Sequence, residues 1–245
     1  MRIRVQSYKP SNSAKALAEH LQIPRLSTSS SRFVGRPSDI IVNWGNVNAV
    51  HNSHYLNPLQ AVKNAANKVT TFKQLQEASI PVPTVHYSKS TLEADKTYFA
   101  RTNLFGHSGD GIEVGIPTEL PEAQLYTEFI KKKHEYRAIV VDDEVVDLKK
   151  KLKKRDFEGD RSPYVWNVAN GYIFARNDIE FPPTLPQLAI DATKALNLSY
   201  GAVDIIQDRN GNLYVLEINT AFGMTGETIS KVGEAIKKLI NLKGA

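Results

Sequence analysis

The stretch Asp204-Ile205-Ile206-Gln207-Asp208-Arg209-Asn210-Gly211-Asn212-Leu213-Tyr214-Val215-Leu216-Glu217-Ile218-Asn219 leaves a folding chain few options. Two β-rich runs flank Asn210-Gly211, a dipeptide that tolerates the positive φ angles of a two-residue type I′ turn, so the segment is predicted to be a β-hairpin. With those two residues as the loop, Arg209 pairs with Asn212, and counting back sets Asp204 directly across from Glu217. Like charges facing each other on neighbouring strands destabilise a sheet. Asn219 lies two residues beyond Glu217 and therefore on the same face. Two carboxylates and an amide oxygen converging on one point form a ligand set for a hard cation such as Mg²⁺. The alternative is a solvated hairpin with scattered acids.

The rest of the chain narrows the class. Its 245 residues, 41% of them hydrophobic, suffice for one large domain or two smaller ones. There is no cysteine, which excludes disulfides, thiolate metal sites and cysteine nucleophiles. No apolar run is long enough to span a bilayer, and Met1-Arg2-Ile3-Arg4-Val5 lacks the apolar core of a signal peptide, so the expectation is a cytoplasmic protein without a membrane partner. The net charge of +5 suits an acidic partner. Much of the excess is local: Lys149-Lys150-Lys151-Leu152-Lys153-Lys154-Arg155 carries six positive charges and Lys131-Lys132-Lys133 three more. Such runs form a solvated face, a nucleic-acid patch or a phosphate clamp.

Periodicity predicts a strand over residues 3–8, a helix over 13–21 and a strand over 39–43, a small βαβ-like opening that ends near residue 58. A helix over 70–78 is stopped by Ile80-Pro81-Val82-Pro83, where the two prolines enforce extended chain. Strands are then predicted over 97–102, 112–115, 125–130, 135–141 and 144–148. Residues 149–171, without a periodic apolar face, are predicted to be a loop. Helices over 186–196 and 228–239 flank the opening hairpin.

Gly106-His107-Ser108-Gly109-Asp110-Gly111 lies between two predicted strands. That placement argues against a Rossmann fingerprint or a P-loop, both of which need a helix directly after the glycines. A glycine-rich hairpin can instead fold over phosphates and donate backbone N–H groups to them; glycine used only for turn geometry is the alternative. Glu128 and Glu135, at the ends of two predicted strands, read on their own as ordinary solvated acids.

The order of these segments resembles the ATP-grasp superfamily, in its peptide-ligase-like (RimK-type) branch. The matching series begins with Asn67-Lys68-Val69-Thr70-Thr71-Phe72 and Ala78-Ser79-Ile80-Pro81-Val82-Pro83, followed by the glycine loop. It continues through Thr127-Glu128-Phe129-Ile130, Glu135-Tyr136-Arg137 and Gly201-Ala202-Val203-Asp204 to Leu216-Glu217-Ile218-Asn219-Thr220-Ala221-Phe222-Gly223, covering roughly residues 60 to 240. The resemblance implies an α+β (α/β) fold: a short βαβ domain over 1–58, then a small subdomain over 59–124 and a large one over 125–245, the two halves of the ATP-grasp fold. It implies ATP and Mg²⁺ as cofactors, with Mn²⁺ as a substitute. Lys68 matches a phosphate-facing lysine, Glu128 with the backbone of Phe129 and Ile130 the adenine hinge, and Glu135 the acid that holds the ribose hydroxyls. His107, Ser108 and Gly109 belong to the phosphate-covering loop. Asp204, Glu217 and Asn219 match the metal ligands, in agreement with the hairpin register.

The chain also departs from the pattern. Arg101-Thr102 stands where the family has Lys-Pro, and arginine can hold phosphate through a bidentate fork. Ala202 replaces an arginine that some ligases carry two residues before the first metal acid, and Arg137, Lys149, Lys151 or Arg161 could supply that charge. Phe222 replaces a proline. The resemblance implies a carboxylate–amine ligase: a carboxylate takes the γ-phosphoryl group of ATP, and an amine then displaces phosphate from the acylphosphate. Arg101, Arg137 and Lys151 are the candidate catalytic cations, and segments 104–111 and 149–171 are expected to close over the intermediate. The implied partners are a carboxylate substrate (a small molecule, an amino acid or a peptide) and an amine co-substrate. An ATP-grasp kinase or non-ligating nucleotide binder, and a basic nucleic-acid-binding protein, are the alternatives.

Overall fold

The computed structural model describes residues 1–26, 31–50, 52–105, 111–160 and 162–244. It opens on a parallel four-stranded sheet in the order β2-β1-β3-β4, made of β1 (Ile3–Ser7), β2 (Arg25–Leu26), β3 (Ile40–Trp44) and β4 (His54–Leu56). Helix α1 (Asn12–Leu21) connects β1 to β2. The Ser11 hydroxyl caps its start by accepting from the Ala14 N–H, and Ala14, Leu17 and Ala18 form its buried stripe.

Two helices follow, α2 (Leu59–Ala66) and α3 (Lys68–Glu77). Sequence periodicity missed α2, whose buried face is only Ala61 and Val62. Asn67 separates the two and caps α3 through its side chain, which accepts from the Thr70 N–H. A small antiparallel sheet in the order β5-β8-β6-β7 comes next, built from β5 (Val85–His86), β6 (Tyr98–Arg101), β7 (Ile112–Gly115) and β8 (Tyr126–Glu128). The Ser/Thr-rich segment at 27–30 and most of the glycine loop, including His107, Ser108 and Gly109, lie outside the described residues.

The third sheet is antiparallel, in the order β11-β10-β9-β12-β13, and contains β9 (His134–Val141), β10 (Glu144–Lys153), β11 (Tyr172–Ala175), β12 (Tyr200–Gln207) and β13 (Leu213–Asn219). Helices α4 (Leu185–Ala195) and α5 (Glu227–Gly244) complete the chain. Strand alternation divides this sheet into two faces. Tyr136, Ala138, Val140, Val203 and Ile205 pack with α4 in one core cluster. Ile139, Val141, Tyr200 and Ala202 pack with α5 and the N-terminal sheet in another. Glu135, Arg137 and Asp204 share the second face but lie beyond its apolar half, so this part of the sheet is free to carry charge.

Two segments differ from their predicted structure. Lys149–Lys153 continue β10 instead of starting a loop, because Lys149 and Lys151 point their charges at carboxylates on the same face (Asp147 and Glu135). Such partners override the low strand propensity of lysine. The irregular connection is therefore 154–171, and β11 follows it.

The hairpin also turns differently. Asp208 pairs with Asn212 around a three-residue loop; the Asp208 carboxylate accepts from the N–H groups of Asn210 and Asn212, and only Gly211 has positive φ. This shifts the register by one residue, giving Ile205 opposite Val215. A bulge at Leu216 then absorbs the extra residue and restores Asp204 opposite Glu217.

Asn57 ties the N-terminal sheet to β12. Its Oδ1 accepts from the N–H groups of Ser199 (2.7 Å) and Tyr200 (3.0 Å), while its Nδ2 donates to the Tyr200 carbonyl (2.9 Å). Asn57→Ala strands three backbone groups, the two of Tyr200 buried and that of Ser199 half-buried, and is expected to cost about 3 kcal/mol in urea unfolding. A loss below about 1 kcal/mol would show that the junction is held elsewhere.

Candidate active site

The charged half of the large sheet reads across its strands as one row. Lys149 is the cross-strand partner of Arg137, Arg137 of Asp204, and Asp204 of Glu217. Arg137 grips Asp204 with a two-pronged ion pair, Nε to Oδ1 and Nη2 to Oδ2, both at 2.7 Å. Asp204 is buried and has a second cation, Lys151 Nζ, at 3.9 Å. Burial alone would lower the pKa of both bases, but Asp204 outweighs it for Arg137, and Asp204 with Glu135 does so for Lys151, so both are raised. The ring of Phe174 on β11 lies under both cations, 4.7 Å from the Arg137 guanidinium and 5.5 Å from Lys151 Nζ.

Glu217 is reached from the other elements. Lys68, the first residue of α3, places Nζ 3.3 Å from Oε2, and the Asn219 amide donates to Oε1 at 3.0 Å. The surrounding protein alone would raise the pKa of Glu217, yet Lys68, Asn219, Arg137 and Arg101 together bring it down to about 2. Arg101, on β6 of the small sheet, is pushed down by burial, with Glu217 opposing the shift. Its Nε has no hydrogen-bond partner among the described residues. A buried guanidinium nitrogen left open in this way is a receptor for an anion.

Two carboxylates and one amide are too few for an all-protein metal cage, and the described residues contain no group of three or more His, Cys, Asp or Glu that could hold a metal. The set suits Mg²⁺, which keeps several waters and binds through one or two carboxylates together with substrate phosphates. Arg137 and Lys68 already place positive charge against both carboxylates.

Glu135 is held by two lysines: Lys132 Nζ sits 2.6 Å from Oε2, and Lys151 donates to Oε1. Burial lowers the pKa of Lys132, with Glu135 opposing. Lys132 was hidden inside a run that reads as solvated; the available signal was its position three residues before Glu135. Lys132 also donates to the Tyr164 carbonyl at 3.0 Å and lies over the Trp166 ring, so the 154–171 connection reaches the site. Tyr164 meets Phe129 and Phe99 edge-on, with centroids 5.3 and 6.4 Å away. Of the hinge residues, Glu128 pairs with Lys96 at 3.4 Å, and the Phe129 N–H is occupied by the Thr97 carbonyl at 2.8 Å. Arg161 is outside the described residues, and of the other candidates for the missing charge Arg137 and Lys151 lie against Asp204, whereas Lys149 turns to Asp147 and Thr228.

Residues 109–242 match the model of the RimK-like ATP-grasp domain. The chain is 30% identical over 209 residues to the tetrahydromethanopterin:alpha-L-glutamate ligase of Methanocaldococcus jannaschii, a match covering 74% of this chain and 67% of that protein. It is 28% identical over 191 residues to a probable alpha-L-glutamate ligase of Haemophilus influenzae, covering 69% of this chain and 59% of the relative. The matches thus span about two thirds or less of these relatives' length. The fold superposes on the ATP-grasp ligase PsnB complexed with minimal precursor, Mg and ADP, with a TM-score of 0.67, 14% identity and coverage of 99% of this chain and 97% of that one. The architecture is that of the ATP-grasp ligases, a class of ATP-dependent amide-bond-forming enzymes. The chain belongs to the RimK-like ATP-grasp family.

Proposed function

We propose that this protein joins a carboxylate to an amine through an acylphosphate, with release of ADP and phosphate. The observation that carries the proposal is the meeting of Asp204, Glu217, Lys68, Arg101 and Arg137 in one site to which the large sheet, the small sheet and α3 all contribute. Phosphoryl transfer demands chiefly positioning and charge neutralisation. Asp204, Glu217 and Asn219 would hold Mg²⁺, or Mn²⁺ in its place; the bound ion would neutralise phosphate charge. Lys68 and Arg101 take the remaining phosphate charge, Glu135 the ribose hydroxyls, and Glu128 with the backbone of Phe129 and Ile130 the adenine edge. Residues 1–58, 59–124 and 125–245 are the proposed functional units.

In the first step a substrate carboxylate oxygen attacks the γ-phosphorus and the bond to the β-bridging oxygen breaks, giving the acylphosphate and ADP. In the second, the amine attacks the acyl carbon, phosphate leaves and the amine gives up a proton. Arg137 and Lys151 stabilise the negative charge that develops in both. The connection 154–171 and the glycine loop exclude water. The carboxylate and amine belong to small molecules, amino acids or peptides.

The nucleic-acid alternative loses part of its footing, because Lys132, Lys149 and Lys151 are tied to carboxylates within the fold. Thermal denaturation with ATP and Mg²⁺, separately and together, tests the reading: a rise in Tm that needs both is expected. No shift with either would sink it.

A further inference from the structure

The connection 154–171 carries an aromatic side chain into the nucleotide end of the site, where the reaction above gives it no role. Strand alternation sets Phe99 and Arg101 on one face of β6, while Tyr98 and Ala100 turn away into the core of the small sheet. Thr127 is the cross-strand partner of Phe99, so Phe129, two residues on, shares that face. Arg101 feels the charge of Glu217, so this face looks into the site. Phe99 lies two residues from Arg101, about 7 Å along the strand, and with Phe129 it forms an aromatic floor at the hinge.

The Tyr164 ring closes over that floor. Its centroid is 5.3 Å from Phe129 and 6.4 Å from Phe99, at interplanar angles of 75° and 86°. Phe99 and Phe129 meet each other at 5.6 Å and 65°. A flat base held between two rings needs parallel faces about 7 Å apart, the width of two van der Waals contacts. None of the three pairs offers such a slot. Tyr164 is also held from behind. Its carbonyl accepts from Lys132 Nζ at 3.0 Å, and the same ammonium lies 2.6 Å from Glu135 Oε2 and 4.5 Å from the centre of the Trp166 ring. Trp166 in turn stacks on Tyr172 of β11 at 5.0 Å. Tyr164 therefore extends from the proposed ribose acid to the proposed adenine hinge.

We propose that Tyr164 is an internal competitor for the nucleobase: its ring occupies the aromatic pocket of Phe99 and Phe129, and an adenine nucleotide enters by displacing it. The inference rests on the ATP-dependent reading of the site. The phosphates meet Lys68 and Arg101 whatever the position of Tyr164, whereas the base must exchange with the ring. A ribose hydroxyl donating to Glu135 competes with Lys132 and loosens the same connection, so base and ribose release it together. Two edge-on aromatic contacts backed by the Lys132 bond suffice to keep the ring in place in about nine molecules of ten, which lowers the apparent affinity for the nucleotide about tenfold.

Isothermal titration of the full chain and of Tyr164→Ala with Mg²⁺-ADP, and with Mg²⁺ and inorganic triphosphate (which has no base), tests it. The alanine variant is expected to bind Mg²⁺-ADP about tenfold more tightly and the triphosphate equally, while Tyr164→Phe, which keeps the ring, behaves as the wild type. Tyr164→Leu serves if the alanine variant does not fold. Acrylamide quenching reads the displacement itself: Trp44 is 1% exposed, so the accessible emission comes from Trp166, the other of the two tryptophans. Mg²⁺-ADP is expected to change that quenching in the wild type and the triphosphate to leave it alone. Weaker ADP binding by Tyr164→Ala would make the ring a wall that stacks on the base and would overturn the proposal. Unchanged affinity, equal tightening of both ligands, or quenching that ignores ADP would overturn it too. If the triphosphate binds, those failures sink the proposal alone; no binding of either ligand by any variant would sink the ATP-dependent reading with it.

Discussion

Glu217→Gln is expected to weaken Mg²⁺-dependent ATP binding about 100-fold, equivalent to about 2.7 kcal/mol. The substitution keeps the shape of the side chain and its neighbour Asn219, but removes one of the two carboxylate charges facing the proposed metal. It also leaves Lys68 and Arg101 without their counter-charge. These effects have opposite signs for bare nucleotide. Without Mg²⁺, ATP phosphates would meet two cations and one acid fewer, so metal-free binding should hold or improve. Isothermal titration with ATP in Mg²⁺ and in EDTA separates the two: a fall confined to Mg²⁺ supports the assignment, whereas an equal fall in both would point to a role for Glu217 in organising the fold.

Arg137→Met is expected to destabilise the unliganded protein by about 3 kcal/mol, because a buried carboxylate is left without its main partner. Among the described residues Asp204 would keep only Lys151, at 3.9 Å. Since 1 kcal/mol moves the Tm of a chain of this size by about 2–4 °C, the drop should be about 6–12 °C. Mg²⁺ with ATP should recover part of it by supplying Asp204 with a new positive partner. Turnover should not recover: losing a cation aimed at developing charge costs about 10²–10³ in rate. A variant as stable as the wild type would contradict the geometry of the site. One with normal turnover would remove Arg137 from the reaction.

The opposition of Asp204 and Glu217 was legible in the sequence, although by a route the structure alters. Counting from a two-residue turn reaches the right pair only because the three-residue loop and the bulge at Leu216 cancel. The pairing of Arg137 with Asp204 was not legible, since β9 and β12 are separated by β10, β11 and α4 and their register is a tertiary property. The same limit hid which carboxylates the lysines meet: Lys149 and Lys151 were legible as candidate cations, Lys132 was not. Lys132, Lys149 and Lys151 look like parts of solvated runs until the sheet brings Glu135 and Asp147 beside them. Helix α2 escaped because eight residues with two small buried side chains give little periodic signal. Elements with longer apolar stripes, such as α1 and α4, were within reach of pattern alone.

The geometry around Asp204 and Glu217 is proposed to serve amide-bond formation. Mass spectrometry of reactions containing the full chain, Mg²⁺-ATP and panels of amino acids, peptides and carboxylic acids tests this. The expected product is one water lighter than the sum of acid and amine, with one ADP and one phosphate formed per bond and no AMP. A product carrying the phosphoryl group, or AMP in place of ADP, would contradict it.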